Sequence, residues 1–65
     1  MLNVQLVESL RLSQGYSQEA LSEKMGYTHS VYGKKVRCAR KFTIEDIAKL
    51  CKIFNVEPND LIDIQ

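Results

Sequence analysis

The sequence predicts an all-α domain of five short helices. Apolar residues recur at intervals of three and four in separate runs, capping residues and glycines punctuate those runs, and the alternation of a half-buried strand is absent. Connections of about two to six residues leave room for one core and no linker. At 65 residues the chain forms one domain, residues 1–65. A domain of that size buries roughly 60% of its unfolded surface, so its stability is expected to be marginal.

The first helix is predicted from Leu2, Leu6, Val7 and Leu10, with Val4 beside them, and Gln14-Gly15 closes it. The second lies in "SQEALSEKMG": the Ser17 hydroxyl can cap it, and Gln18 and Glu19 stand near the positive end of its dipole. Ala20, Leu21 and Met25 form its inner stripe, and Gly26 suits a left-handed stop. After Tyr27 alone, Thr28 offers another cap, and His29 to about Arg37 gives a third helix of about two turns. Thr43 with Asp46 resembles a capping box and starts a fourth, with Ile44, Ile47, Ala48, Cys51 and Phe54 facing inward and Leu50 at the margin. "NVEP" ends it, and Pro58 or Asn59 opens a fifth helix carrying Leu61, Ile62 and Ile64.

Composition narrows the function. With 45% apolar and 26% charged residues the chain is globular rather than a disordered tail. No run approaches the ~20 apolar residues of a membrane span, and "MLNVQLVESL" lacks a secretory pattern, which makes a cytoplasmic protein the expectation. Cys38 and Cys51 are expected as free thiols, and with His29 they match no paired zinc spacing. One histidine with no neighbouring nucleophile or acid–base motif gives no catalytic constellation, so no enzyme, metal or cofactor is expected.

Charge is unevenly distributed. "YTHSVYGKKVRCARKF", residues 27–42, holds Lys34, Lys35, Arg37, Arg40 and Lys41 and no acid, in a chain of net charge +1. Such a segment on a near-neutral domain marks either a solvated face or a polyanion footprint. Here it lies on the second of two helices joined by a tight glycine-containing turn, the helix-turn-helix unit whose second helix enters the DNA major groove.

At these residues, "GYSQEALSEKMGYTHSVYGKK" and the following "FTIEDIAKLCKIFNVEPNDLI", the chain resembles the Cro and phage-repressor family of helix-turn-helix proteins, over roughly Val7 to Ile62. The resemblance implies a lambda-repressor-like fold, with Ser17 to Met25 as positioning helix and Thr28 to about Val36 as recognition helix. It places His29, Ser30 and Lys34 at base-facing positions. Gln18 falls at a glutamine that often contacts a phosphate and steadies the recognition helix, and Arg37, Arg40 and Lys41 fall in a backbone-gripping loop. The residue types suit these roles. Helix ends at Ser17 and Thr28 offer N–H groups to phosphate, lysine can donate to guanine, and serine and histidine can meet several base edges.

The chain departs from the family where an apolar residue is usual at Lys35 and an acid at Val36, the acid pairing with an arginine that matches Arg11. Either Val36 packs inward while Lys35 snorkels, or Arg11 finds another carboxylate such as Glu19 or Glu23. Cys38 stands where a turn glycine is frequent and Phe42 where a proline is frequent. Tyr27 and Tyr32 are expected half-buried with hydroxyls at the surface, and Tyr16 and Cys51 in the core, while Cys38 lies in the loop.

These features predict a sequence-specific double-stranded DNA-binding regulator, a repressor acting as a homodimer on a pseudo-palindrome, with Leu61, Ile62 and Ile64 as seam. A bacterial or phage-encoded setting is expected. The alternative is a protein-interaction module of the same fold, of antitoxin or anti-repressor type. An RNA-binding role is disfavoured because no aromatic stacking surface is apparent.

Overall fold

The computed structural model describes residues 2–38 and 41–62. They form five helices: α1 (Val4–Ser13), α2 (Gln18–Lys24), α3 (Val31–Arg37), α4 (Ile44–Phe54) and α5 (Pro58–Leu61). Among the described residues the one strand-like feature is an antiparallel bridge between Leu2 and Ile62. It is reinforced by the Asn3 N–H donating to the Leu61 carbonyl at 2.7 Å, which ties the start of α1 to the end of α5.

Local chemistry sets most boundaries. Asn3 caps α1 by accepting the Leu6 N–H, and Ser17 caps α2 by accepting the Ala20 N–H. Gly15 and Gly26 take φ of 79° and 89°, left-handed values that suit a residue without Cβ, just beyond the ends of α1 and α2. Thr43 and Asp46 form a reciprocal capping box at α4, and Asn55 closes that helix with φ 56°.

Leu2, Val7, Leu21, Met25, Tyr32, Leu50, Phe54 and Leu61 make the core. Three expectations about α4 are corrected. Ile44 is 86% exposed and Ala48 is also exposed, whereas Leu50, expected at the margin, is fully buried. The inner face runs through Asp46, Leu50 and Phe54, flanked by Ile47, Cys51 and Ile53. A stripe read from apolar residues alone skips the aspartate and is rotated toward Ile44. Leu61 is likewise fully buried in its own chain's core, and Ile62 is half-buried against Leu2. Leu61 therefore has no surface to give a dimer seam, and Ile64 lies outside the described residues.

A carboxylate holds the first three helices together. Glu8 accepts from Arg11 Nε at 2.8 Å and Nη2 at 3.0 Å, from Gln18 Nε2 of α2 at 3.1 Å and from the Tyr32 hydroxyl of α3 at 2.7 Å. Arg11, buried, also donates to the Tyr16 carbonyl at 2.6 Å. Its partner is thus neither Glu19 nor Glu23 but a residue one turn back on its own helix. Tyr32 is not half-buried but wholly enclosed, because its hydroxyl finds an acceptor inside. Tyr16 is half-buried, its ring edge-on to Phe54 at 6.5 Å.

Glu8→Ala removes the counter-charge of Arg11 and the acceptor of the Tyr32 hydroxyl and is expected to cost about 2–3 kcal/mol, at or below the lower end for a broken buried ion pair because Glu8 is partly exposed. That is a large part of the roughly 3–10 kcal/mol expected for a domain of this length. Urea unfolding of the variant beside Arg11→Met and the double variant checks it: coupling through one network makes the double loss smaller than the sum of the single ones.

Candidate nucleic-acid interface

The α2–turn–α3 unit is closed by Ser22, which is fully buried. Its hydroxyl donates to the Thr28 carbonyl and accepts the Tyr32 N–H at 3.1 Å, so one small side chain stitches both helices to the turn. A longer side chain there would push the helices apart. Gly33 completes the close approach: a Cβ at this position would stand 3.1 Å from Gln18 Oε1. Gln18 thus packs against α3 while its amide N–H donates to Glu8.

The third helix begins later than expected. Its N-cap is Ser30, which makes no side-chain cap hydrogen bond, and its first residue is Val31. Thr28 does not cap it. The Thr28 carbonyl is taken up by Ser22 and by the Val31 N–H, which leaves Thr28 exposed in the turn. Thr28 thus offers its exposed side chain in the turn rather than a helix end of its own, whereas the helix end at Ser17 is that of α2.

His29, Ser30, Lys34, Arg37 and Lys41 are all exposed. Ser30 and Lys34 are one helical turn apart, joined by the Lys34 N–H donating to the Ser30 carbonyl at 3.2 Å, and Arg37 follows at the next turn. Spacing of three and four puts these side chains on one face. His29 Nε2 lies 2.6 Å from a Glu23 oxygen, across an open depression lined also by Tyr27, Thr28 and Ser30. A carboxylate only accepts, so Nε2 carries the hydrogen and Nδ1 is the ring nitrogen turned elsewhere. Arg40 lies outside the described residues.

Lys35 behaves differently from its neighbours. Its ammonium donates to Asp46 Oδ2 at 2.5 Å and to the Lys41 carbonyl at 2.9 Å, and it sits 5.1 Å from the centre of the Tyr27 ring. Asp46, fully buried, also accepts the Tyr27 hydroxyl and the Thr43 N–H. The Tyr27 hydroxyl therefore points inward rather than to the surface. Val36 packs against the core, and Phe42 meets Tyr32 edge-on at 6.1 Å. Cys38 is exposed, and Cys51 packs against the core, where burial first, then Glu57 and Asp60, push its thiol pKa up.

Both carboxylates, the half-buried Glu8 and the buried Asp46, are held ionised. At Glu8 the hydrogen bonds from Arg11, opposed by burial and helped by Tyr32 and Gln18, bring the pKa to about 2. At Asp46 burial pushes upward, but Lys35, the Tyr27 hydroxyl and the Thr43 N–H outweigh it and bring the pKa to about 2 as well. Burial and the bond to Glu8 raise the Tyr32 phenol.

A family model described as Helix-turn-helix matches residues 7–61, most of the chain. The chain belongs to this family, the Cro/C1 or XRE type. It is a helix-turn-helix regulator that binds double-stranded DNA. No curated protein and no solved structure matches the chain closely enough to be called similar. Among the described residues, no helix is long and apolar enough to cross a membrane.

What sequence reasoning missed in this family member is the pair of carboxylates that orient the unit. The signal for Glu8 was its three-residue spacing to Arg11; that for Asp46 was the capping box, which was read only as a helix start.

Both pKa values are depressed, so the stability they supply is complete above the unfolded carboxylate range near ~4 and is lost as pH falls toward about 2. Circular dichroism across acid titration is expected to show unfolding in that window. Asp46→Asn, lacking one of the two groups, should show a shallower dependence on pH there.

Proposed function

We propose that the protein is a sequence-specific transcriptional repressor that occupies a pseudo-palindromic operator as a homodimer. The observation that supports this best is the exposed face formed by Ser30, Lys34 and Arg37 on α3, with His29 beside it and Lys41 beyond it, on a helix whose opposite side is fixed in the core. His29, Ser30 and Lys34 read base edges; Arg37, Arg40 and Lys41 grip phosphates, with Ser17, Gln18 and Thr28 as the further backbone contacts. A helix of seven residues reads few base pairs, so two copies on half-sites ~34 Å apart supply the discrimination. With Leu61 absorbed by the core, the seam falls to Ile62 and Ile64. A cytoplasmic protein of bacterial or phage origin suits this role.

One observation favours the alternative of a protein-interaction module: Ile44 at 86% and Leu12 at 66% exposure are large apolar side chains facing solvent. Isolated exposed apolar residues are common, however, and make a weaker argument than the cationic face.

Selection of the purified protein against a random-core duplex library at ~150 mM salt, near physiological ionic strength, decides between them. Enrichment of an inverted repeat is the expected outcome; no enriched sequence from folded protein favours the interaction module. On the enriched site, Lys34→Ala is expected to lose discrimination between bases. Lys41→Ala should weaken all sequences alike and reduce the salt slope by about one. Indistinguishable behaviour of the two variants would remove the division into reading and gripping residues.

A further inference from the structure

We propose that Lys35 is not part of the DNA-facing charge: with Asp46 and Tyr27 it forms an internal latch that ties Lys41 to α3, making Lys35 and Asp46 positioning residues for DNA binding. The inference rests on the DNA-binding reading and adds to it residues to which that reading gives no role.

The latch joins four pieces of chain. Lys35 comes from the last turns of α3, Lys41 from the end of the basic loop, Asp46 from the first turn of α4, and Tyr27 from the turn between α2 and α3. The Lys35 side chain is 13% exposed and that of Asp46 is wholly buried, so the pair is shielded from solvent in a way that the exposed His29–Glu23 pair is not. An ammonium has three donor hydrogens. Here it serves a carboxylate and a backbone carbonyl while facing the Tyr27 ring, whose opposite demand, a hydroxyl acceptor, the same carboxylate meets.

Two consequences follow for DNA. The bond to the Lys41 carbonyl fixes the backbone from which the Lys41 side chain reaches out, so the grip of the loop is set by a residue that touches no phosphate. And the basic segment, which counts five cations by sequence, presents at most four of them outward.

The test uses Lys35→Met and Asp46→Asn in the full chain, each first confirmed folded by circular dichroism. Affinity for duplex DNA is then measured against salt concentration. For Lys35→Met the expected result is an unchanged salt slope with affinity for the preferred site lowered roughly tenfold, the equivalent of one lost hydrogen bond. For Asp46→Asn the freed ammonium can reach a phosphate, and the slope is expected to steepen by about 0.9. A slope reduced by about 0.9 in Lys35→Met makes Lys35 an ordinary phosphate contact and overturns the proposal. Unchanged affinity and slope in folded Lys35→Met overturn it too.

A readout without DNA separates this proposal from the function it rests on. In the wild type, acetylation of Lys35 by acetic anhydride, followed by peptide mass spectrometry, is expected to be at least roughly tenfold slower than that of Lys34, as for a cation held by a buried partner. In Asp46→Asn the two rates should converge. Equal rates in the wild type overturn the latch. Slow Lys35 acetylation in a wild type that binds no duplex would keep the internal contact and defeat the DNA reading, and with it the positioning role.

Discussion

The carboxylate of Glu8 is the point on which the helix-turn-helix unit turns. The second and third helices have seven residues each, well below the ~12–15 at which an isolated helix becomes even marginal in water. They persist because tertiary contacts hold them. Apolar burial of Leu21, Met25 and Tyr32 supplies the drive, but that force is non-directional. Glu8 supplies direction: it receives Gln18 from the start of α2 and Tyr32 from the first turn of α3, and Arg11 keeps it charged and fixed. Gly33 lets the two helices lie close enough for this, since any side chain there would meet the Gln18 amide. The arrangement is closed in hydrogen-bonding terms, and among the described residues no buried side-chain nitrogen or oxygen lacks a partner. Without that closure the buried charges would be a liability.

The distribution of charge follows the same logic. Acids carry the interior polar contacts, Glu8 facing Gln18 and Tyr32 and Asp46 facing Lys35 and Tyr27, while Lys34, Arg37 and Lys41 remain outside. A net charge of +1 therefore hides a molecule whose acids are partly withdrawn from the field felt by DNA. Neutralising Lys35 internally also separates it from Lys34, with which it would otherwise form an adjacent pair of like charges on a seven-residue helix.

The sequence made the architecture legible wherever a local rule decides the outcome. Ser17 and Thr43 cap their helices through their own side chains, and Gly15 and Gly26 adopt the left-handed turn that a missing Cβ allows. The family model's span, residues 7–61, agrees with the reach of the motifs. Misreadings arose where tertiary contacts override local preference. Thr28 has the chemistry of a cap, yet Ser22 claims its carbonyl and the helix starts three residues later. Ile44 has the spacing of a core residue, but Asp46 takes the inward position because its charge is satisfied from three directions. Hydrophobic periodicity cannot see a buried carboxylate, and so the apolar stripe of α4 lies out of phase with the face the helix buries.

The two acids act on the same helix from different ends. Tyr32 and Lys35 are three residues apart on the inward side of α3, one tied to Glu8 and the other to Asp46, while Ser30, Lys34 and Arg37 occupy the outward side. A helix that reads bases must be fixed in rotation as well as in position, because its side chains project from a cylinder and a small turn about the axis sweeps their tips along the groove. Apolar packing on a two-turn helix tolerates such a turn, since one methyl group replaces another at little cost. Two hydrogen-bonded anchors a helical turn apart do not, because each is directional, and a slip would leave the enclosed Tyr32 hydroxyl or the buried Asp46 carboxylate without its partner on α3. The polar interior of this small domain thus sets orientation as well as contributing to stability. The same residues that make it vulnerable to acid hold its cationic face in one place.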